Sequence, residues 1–176
     1  VLPDHLQPYA VFDDSMRRMY VDQMELMGEY EAAIANGEFQ VYYQPVVEAV
    51  SGNLISAEAL VRWIHPKRGM VSPAAFIPAL ENGGHISKLD WFVAGQVAEF
   101  DRKRYASGEP VLPVSVNLSW TDFYDENVIR GLIDLLGSGK VQKGDIRLEI
   151  TETSYTALEN DREGILEQFR SLGSLI

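Results

Sequence analysis

From residue 39 onward the apolar rhythm of the sequence changes on a schedule that few folds accept. Two β-rich runs come first, 39–50 (FQVYYQPVVEAV) and 54–63 (LISAEALVRW), with only Ser51, Gly52 and Asn53 between them. A connection that short makes an antiparallel hairpin, because a parallel pair needs a long crossover. Helix and strand then alternate. Ser72-Pro73 offers a cap followed by proline at the first helical position, and the helix it opens runs to Glu81, where Gly83-Gly84 stops it. A longer helix over 86–106, a strand over 112–118, a helix over 125–136, a strand over 146–151 and a helix over 160–172 follow. Gly173 ends the last helix, and 174–176 reads as a strand just starting. Such alternation means crossover units and a parallel sheet. An open doubly wound sheet and a barrel both satisfy it, and the absence of a glycine-rich phosphate loop weights the choice towards the barrel.

Upstream, residues 1–11 form an irregular lead-in with Pro3 and Pro8. Residues 12–36 predict a long helix, with Asp13, Asp14 and Ser15 as cap choices and Asn36-Gly37 as its end. Phe12, Met16, Met19, Met27, Tyr30 and Ile34 recur as one helix face requires. That face either packs on its own domain or serves a signalling helix that couples domains or pairs subunits. The expected division is therefore 1–37, a linker and connecting helix, and 38–176, the folded domain.

Composition narrows the function. The chain has no cysteine, which excludes disulfides, zinc–thiolate sites and cysteine nucleophiles and fits a cytoplasmic location. No apolar run is long enough to span a bilayer, so no membrane contact is expected of this segment. The formal net charge is −11, which argues against a nucleic acid polymer as partner. A small anion held by a few arginines and a metal stays compatible with it. The acidity is uneven: residues 1–38 carry eight acids against two bases.

Polar residues inside apolar strands are the candidates for chemistry. Glu58 and Arg62 lie four apart in LISAEALVRW, so they share one strand face with Leu60 between them. A structural ion pair is the plainer reading, and a metal and a phosphate bound side by side is the other. Asn117 ends the strand VSVNLS, where asparagine is disfavoured unless it forms a turn or serves a site. Glu149 lies in RLEITE, on the face opposite to Glu152. In a parallel barrel, Glu58, Asn117 and Glu149 would converge at the carboxyl ends of three strands, and an all-oxygen set suits Mg²⁺ or Mn²⁺. His5, His65 and His85 are scattered and read as surface residues, and Trp63, Trp91 and Trp120 as packing.

With these residues placed, a family resemblance emerges. Glu58-Ala59-Leu60-Val61-Arg62 resembles the signature of EAL domains. Tyr43-Gln44-Pro45 resembles that family's first strand, and the segment from Pro73 through Glu81-Asn82-Gly83 the helix after the signature. Leu89-Asp90-Trp91, Val116-Asn117-Leu118-Ser119 and Leu148-Glu149-Ile150-Thr151-Glu152 resemble later motifs in the family's order. The resemblance implies an α/β fold: a TIM-like (β/α) barrel of the EAL type, here partial, with an antiparallel first strand and a long helix before it. It implies a phosphodiesterase that hydrolyses cyclic di-GMP to linear pGpG with Mg²⁺ or Mn²⁺. Glu58, Asn117 and Glu149 would be metal ligands, with Glu58 catalytic. Gln44, Leu60 and Arg62 would line the ligand site, and Glu152 would anchor a loop beside the metals. A non-catalytic cyclic di-GMP receptor or protein-interaction module is the alternative within the family.

Residues 38–176 fall short of the roughly 250 residues of a typical barrel. The family's paired-aspartate and lysine strands have no counterpart before Ile176, so this chain is expected to be a truncated, inactive piece of an active parent. Residues 1–36 resemble the connector after a GGDEF domain, so an upstream GGDEF or sensory domain is expected, with membrane anchoring of the parent left open. Two unpaired sheet edges and an apolar inner face predict self-association, as a homodimer or otherwise.

Overall fold

The structure is a computed structural model and describes residues 13–139, 141–150 and 163–174. Helix α1 (Asp14–Ala35) leads into strands β1 (Phe39–Val47), β2 (Leu54–His65) and β3 (Gly69–Val71). Helices α2 (Pro73–Asn82) and α3 (Ile86–Ser107) follow, then β4 (Val114–Asn117) and a 3₁₀ turn (Trp120–Tyr124). Helix α4 (Glu126–Gly137), strand β5 (Ile146–Glu149) and helix α5 (Glu163–Ser171) complete the described elements. Every predicted helix and strand within the described residues is present.

The sheet order is β1-β2-β4-β5, with β3 paired to β2. The β1–β2 pair is antiparallel, and β2–β4 and β4–β5 are parallel. Parallel strands are added in chain order without the reversal that defines a doubly wound sheet. Of the two architectures left open by the sequence, the sheet follows that of a barrel.

Alternation sorts the strands into two faces. Ala59, Val114, Val116, Ile146 and Leu148 point to the helices and pack with Val93, Ala94 and Val97 of α3, Ile129 and Leu132 of α4, and Leu166 and Phe169 of α5. A second cluster joins Leu26, Tyr30 and Ala33 of α1 to Phe39, Trp63, Val71, Phe76 and Leu80. The helices thus cover one face. By register, the other face carries Gln40, Tyr42 and Gln44 of β1, Glu58, Leu60 and Arg62 of β2, Ser115 and Asn117 of β4, and Arg147 and Glu149 of β5. That face is predominantly polar, which corrects the expected apolar inner face. Ala59, Val114, Val116, Ile146 and Leu148 at the alternate positions are already buried under helices, while Val46, Val47, Leu54 and Ile55 at the hairpin end are exposed. Self-association driven by apolar burial on this face loses its premise.

The hairpin turn is longer than the sequence suggests. Residues 48–50 leave the strand, Glu48 N–H bonds Asn53 O (2.9 Å), and Gly52 takes a left-handed φ of 71°. Strand β3 is an addition that sequence reading misses. It forms because His65 organises the preceding turn, its Nδ1 accepting the N–H groups of Lys67 (3.1 Å) and Arg68 (3.2 Å). His65 is therefore not a surface residue: it is 6% exposed, and its Nε2 meets Glu29 of α1. His85 is half-buried beside Tyr30, and His5 lies outside the described residues.

Helix α1 divides along its length. Asp13 caps it, accepting the N–H groups of Ser15 and Met16 at 2.9 Å. Leu26, Tyr30 and Ala33 are buried on the domain, while Met19, Tyr20 and Met24 are exposed. The predicted stripe is right in its second half, and Met16 and Met19 of the first half are exposed. Ion pairs from Arg68 to Glu25 and Asp22, and from Lys88 to Glu31 (2.6 Å), bind the flank of α1. No helix among the described residues is long and apolar enough to cross a membrane.

Candidate functional site

Register brings the predicted residues together. Gln44 stands opposite Glu58, and Glu58 beside Ser115. Asn117 stands beside Glu149. The β2–β4 pairing covers Ala57–Ala59 only, so β2 runs on past the end of β4. Leu60 and Arg62 therefore stand beyond Glu58, at and past the carboxyl end of β4. The carboxyl ends of parallel strands are where α/β barrels place their ligand sites.

Asn117 Nδ2 donates to Glu58 Oε1 at 2.8 Å, bridging two strands separated by 59 residues of chain. That bond turns the amide nitrogen towards the carboxylate and leaves the amide oxygen as the free acceptor. Glu58 and Glu149 are half-buried and Asn117 is exposed at its strand end. The three side chains supply only oxygen to a ligand, the donor type that hard divalent cations take. No group of three His, Cys, Asp or Glu side chains that could hold a metal occurs among the described residues. The candidate set differs from such groups in drawing one of its oxygens from an amide.

Arg62 does not pair with Glu58, which corrects the ion pair that spacing favoured. One N–H donates to the carbonyl of Val61 (2.9 Å), and the guanidinium lies 6.0 Å from the centroid of the Tyr42 ring. No ion pair to Arg62 occurs among the described residues. Its half-buried fork faces the same side as Glu58 and Leu60, with donors to spare. Glu152 lies outside the described residues.

Sequence reading missed the residues that hold the end of β4. Ser119 N–H donates to Asp90 of α3 (3.1 Å) and to Asp122 (3.0 Å), and its hydroxyl donates to Glu81 of α2 (3.1 Å). Part of this was legible: Ser119 followed three residues later by Asp122 is a capping-box spacing. Burial and the neighbouring charge of Asp122 push the Asp90 carboxyl well up, and burial raises Asp122 against hydrogen bonds from Asp90 and Ser87 that lower it.

A singly wound, hairpin-started sheet, with oxygen-bearing side chains at its strand ends and an arginine without an ion pair among the described residues, is the sheet of an α/β barrel-type domain. More narrowly, the chain belongs to the EAL domain family, which its residues 27–176 match. It is similar to the bifunctional diguanylate cyclase/cyclic di-GMP phosphodiesterase MucR of Pseudomonas aeruginosa, 28% identical over 165 residues, covering 94% of this chain and 24% of that protein. It is also similar to the cyclic di-GMP phosphodiesterase RocR of the same organism, 30% identical over 152 residues, covering 84% of this chain and 38% of that protein. The solved structure of the PaMucR phosphodiesterase in complex with c-di-GMP matches at a TM-score of 0.75 and 27% identity, covering 86% of this chain and 62% of that one. The chain thus spans 24% and 38% of the length of those two relatives. The family match opens within α1, one residue after Leu26, the first buried residue of that helix.

Proposed function

We propose that this chain is part of a domain that acts on cyclic di-GMP as a metal-dependent phosphodiesterase, with linear pGpG as product. Glu58, Asn117 and Glu149 hold a divalent cation, Mg²⁺ or Mn²⁺, and Glu58 is the catalytic carboxylate. The observation that supports this most is the Asn117–Glu58 hydrogen bond, which joins two oxygen-bearing side chains on the face that Glu149 shares by register, beside an arginine with no acid partner among the described residues. A divalent cation at such a site supplies a water of lowered pKa and offsets charge growing on the phosphodiester.

The chain's own residues do the rest. Arg62 directs its fork at a phosphate of the nucleotide, a charge-assisted and bidentate contact. The centroid of the Tyr42 ring lies 6.0 Å from the guanidinium. Gln44, opposite Glu58, offers an amide to the ligand, and Leu60 gives it an apolar wall. A protein of net charge −11 holds a dianion because the cation and Arg62 set the local field. Activation of water between two ions asks for more protein ligands than Glu58, Asn117 and Glu149 supply. Residues 1–176 by themselves therefore bind the nucleotide and turn it over little or not at all.

Calorimetric titration of cyclic di-GMP with and without Mg²⁺, beside a turnover assay with Mn²⁺, tests this. Metal-dependent binding that disappears in Glu58→Ala is expected. Binding that ignores the metal and Glu58 would overturn the reading. Robust Glu58-dependent turnover by residues 1–176 would overturn the expected inactivity alone.

A further inference from the structure

Asn117 reaches Glu58 only if the end of β4 is held in place, and that end is a single exposed residue on a four-residue strand. On its β5 side, Leu118 N–H bonds the carbonyl of Glu149 (2.9 Å). On its other side stands Ser119, gripped by Glu81, Asp90 and Asp122 from three elements. Capping of the 3₁₀ turn accounts for Asp122 alone. It does not account for Asp90, which comes from α3 to a donor that Asp122 already serves. Two carboxylates converging on one N–H in a place where Asp122 is 0% exposed would repel as anions. A proton between them turns the repulsion into a hydrogen bond. Burial, then the charges of Asp122 and Glu81, raise the Asp90 carboxyl.

We propose that Asp90 and Asp122 are positioning residues for Asn117: they triangulate Ser119 and so fix the strand end from which Asn117 meets Glu58. The link from this geometry to metal affinity rests on the proposed role of Asn117 as a ligand. Helix α3, which supplies Asp90, packs through Val93, Ala94 and Val97 in the core under β4, so the grip ties the site to that core.

The test uses the full chain in two parts. Without metal, NMR follows hydrogen exchange of the Ser119 amide and the side-chain amide resonance of Asn117. With metal, calorimetry measures Mn²⁺ affinity. Asp90→Asn is expected to behave as the parent, since an amide both donates to Asp122 and accepts from Ser119. Asp90→Ala is expected to speed Ser119 exchange, shift the Asn117 side-chain amide and weaken Mn²⁺ about 10–100-fold, the usual cost of losing a ligand's support. Asp90→Leu fills the same space, and gives the same expectation should alanine unfold the chain. Ser119 exchange and Asn117 resonance unchanged in Asp90→Ala or Asp90→Leu would overturn the proposal, as would an Asp90→Asn chain that behaves like them. Asn117→Ala separates the two readings: Mn²⁺ affinity unmoved by it defeats the ligand role of Asn117, while the metal-free signals still judge the grip.

Discussion

Arg62 and Asp101 are charges set among apolar residues with opposite outcomes. Arg62 sits half-buried over Tyr42 on the open face, where its N–H donors can be spent on a ligand. Arg62→Ala is expected to weaken cyclic di-GMP by about 10–100-fold, the range of a lost charged hydrogen bond, and Arg62→Lys to recover only part of it because an ammonium cannot fork. Calorimetry on the three chains reads both. The shared face of Glu58 and Arg62 was legible from a four-residue spacing. Their lack of pairing was not, because the partners that decide it, Asn117 and Tyr42, come from neighbouring strands.

Asp101 of α3 is 0% exposed, and neither carboxyl oxygen has a hydrogen-bond partner among the described residues. Burial, helped by the charge of Asp145, pushes its pKa from 3.8 up to about 7. The folded chain thus binds a proton here that the unfolded chain releases. The contribution of Asp101 to stability is full below pH 3.8 and is lost as pH rises through about 7. Asp101→Asn should match the parent in urea melts at low pH and exceed it by about 2 kcal/mol at pH 8, half or so of the full linkage value. Equal stability at both pH values would show that Asp101 titrates normally. Nothing in the sequence marks this residue, since an acid in a helix rich in charges reads as solvated.

At the scale of elements, α1 carries two different faces in series. Its second half is core: Tyr30 is 1% exposed and touches His85. Its first half presents Met19, Tyr20 and Met24 outward. Tyr30→Ala is expected to cost about 3–5 kcal/mol, as large aromatic truncations in cores do. Met19→Ala should stay within about 0.5 kcal/mol, as exposed substitutions do. Denaturant melts distinguish them, and a Met19→Ala cost as large as that of Tyr30→Ala would mean that the first half is packed too. Periodicity found the helix but not the point where burial stops, because that point depends on how far α2 reaches along it. Strand β3 escaped for a related reason: a three-residue strand has no period, and it exists because His65 ties its turn.

At the scale of the molecule, the alternation of hairpin, helix and strand was enough to predict an antiparallel pair followed by parallel strands, and the motifs along it pointed to the family. What alternation could not give was which parity faces the helices. The apolar residues in the middle of the sheet are those already covered, and the opposite face carries Gln40, Tyr42, Gln44, Glu58, Arg62, Ser115, Asn117, Arg147 and Glu149 with Leu60 among them. A face of that composition is built to take a polar ligand and solvent, and burial of it against a second copy brings little apolar gain. The central claim is that Glu58, Asn117 and Glu149 form one cation site on this face. Anomalous scattering from a crystal of the chain soaked in Mn²⁺ tests it most directly. A peak within about 2.5 Å of oxygens from all three side chains, absent in Glu58→Ala, is the predicted result. A peak elsewhere, or one that survives Glu58→Ala unchanged, would contradict it.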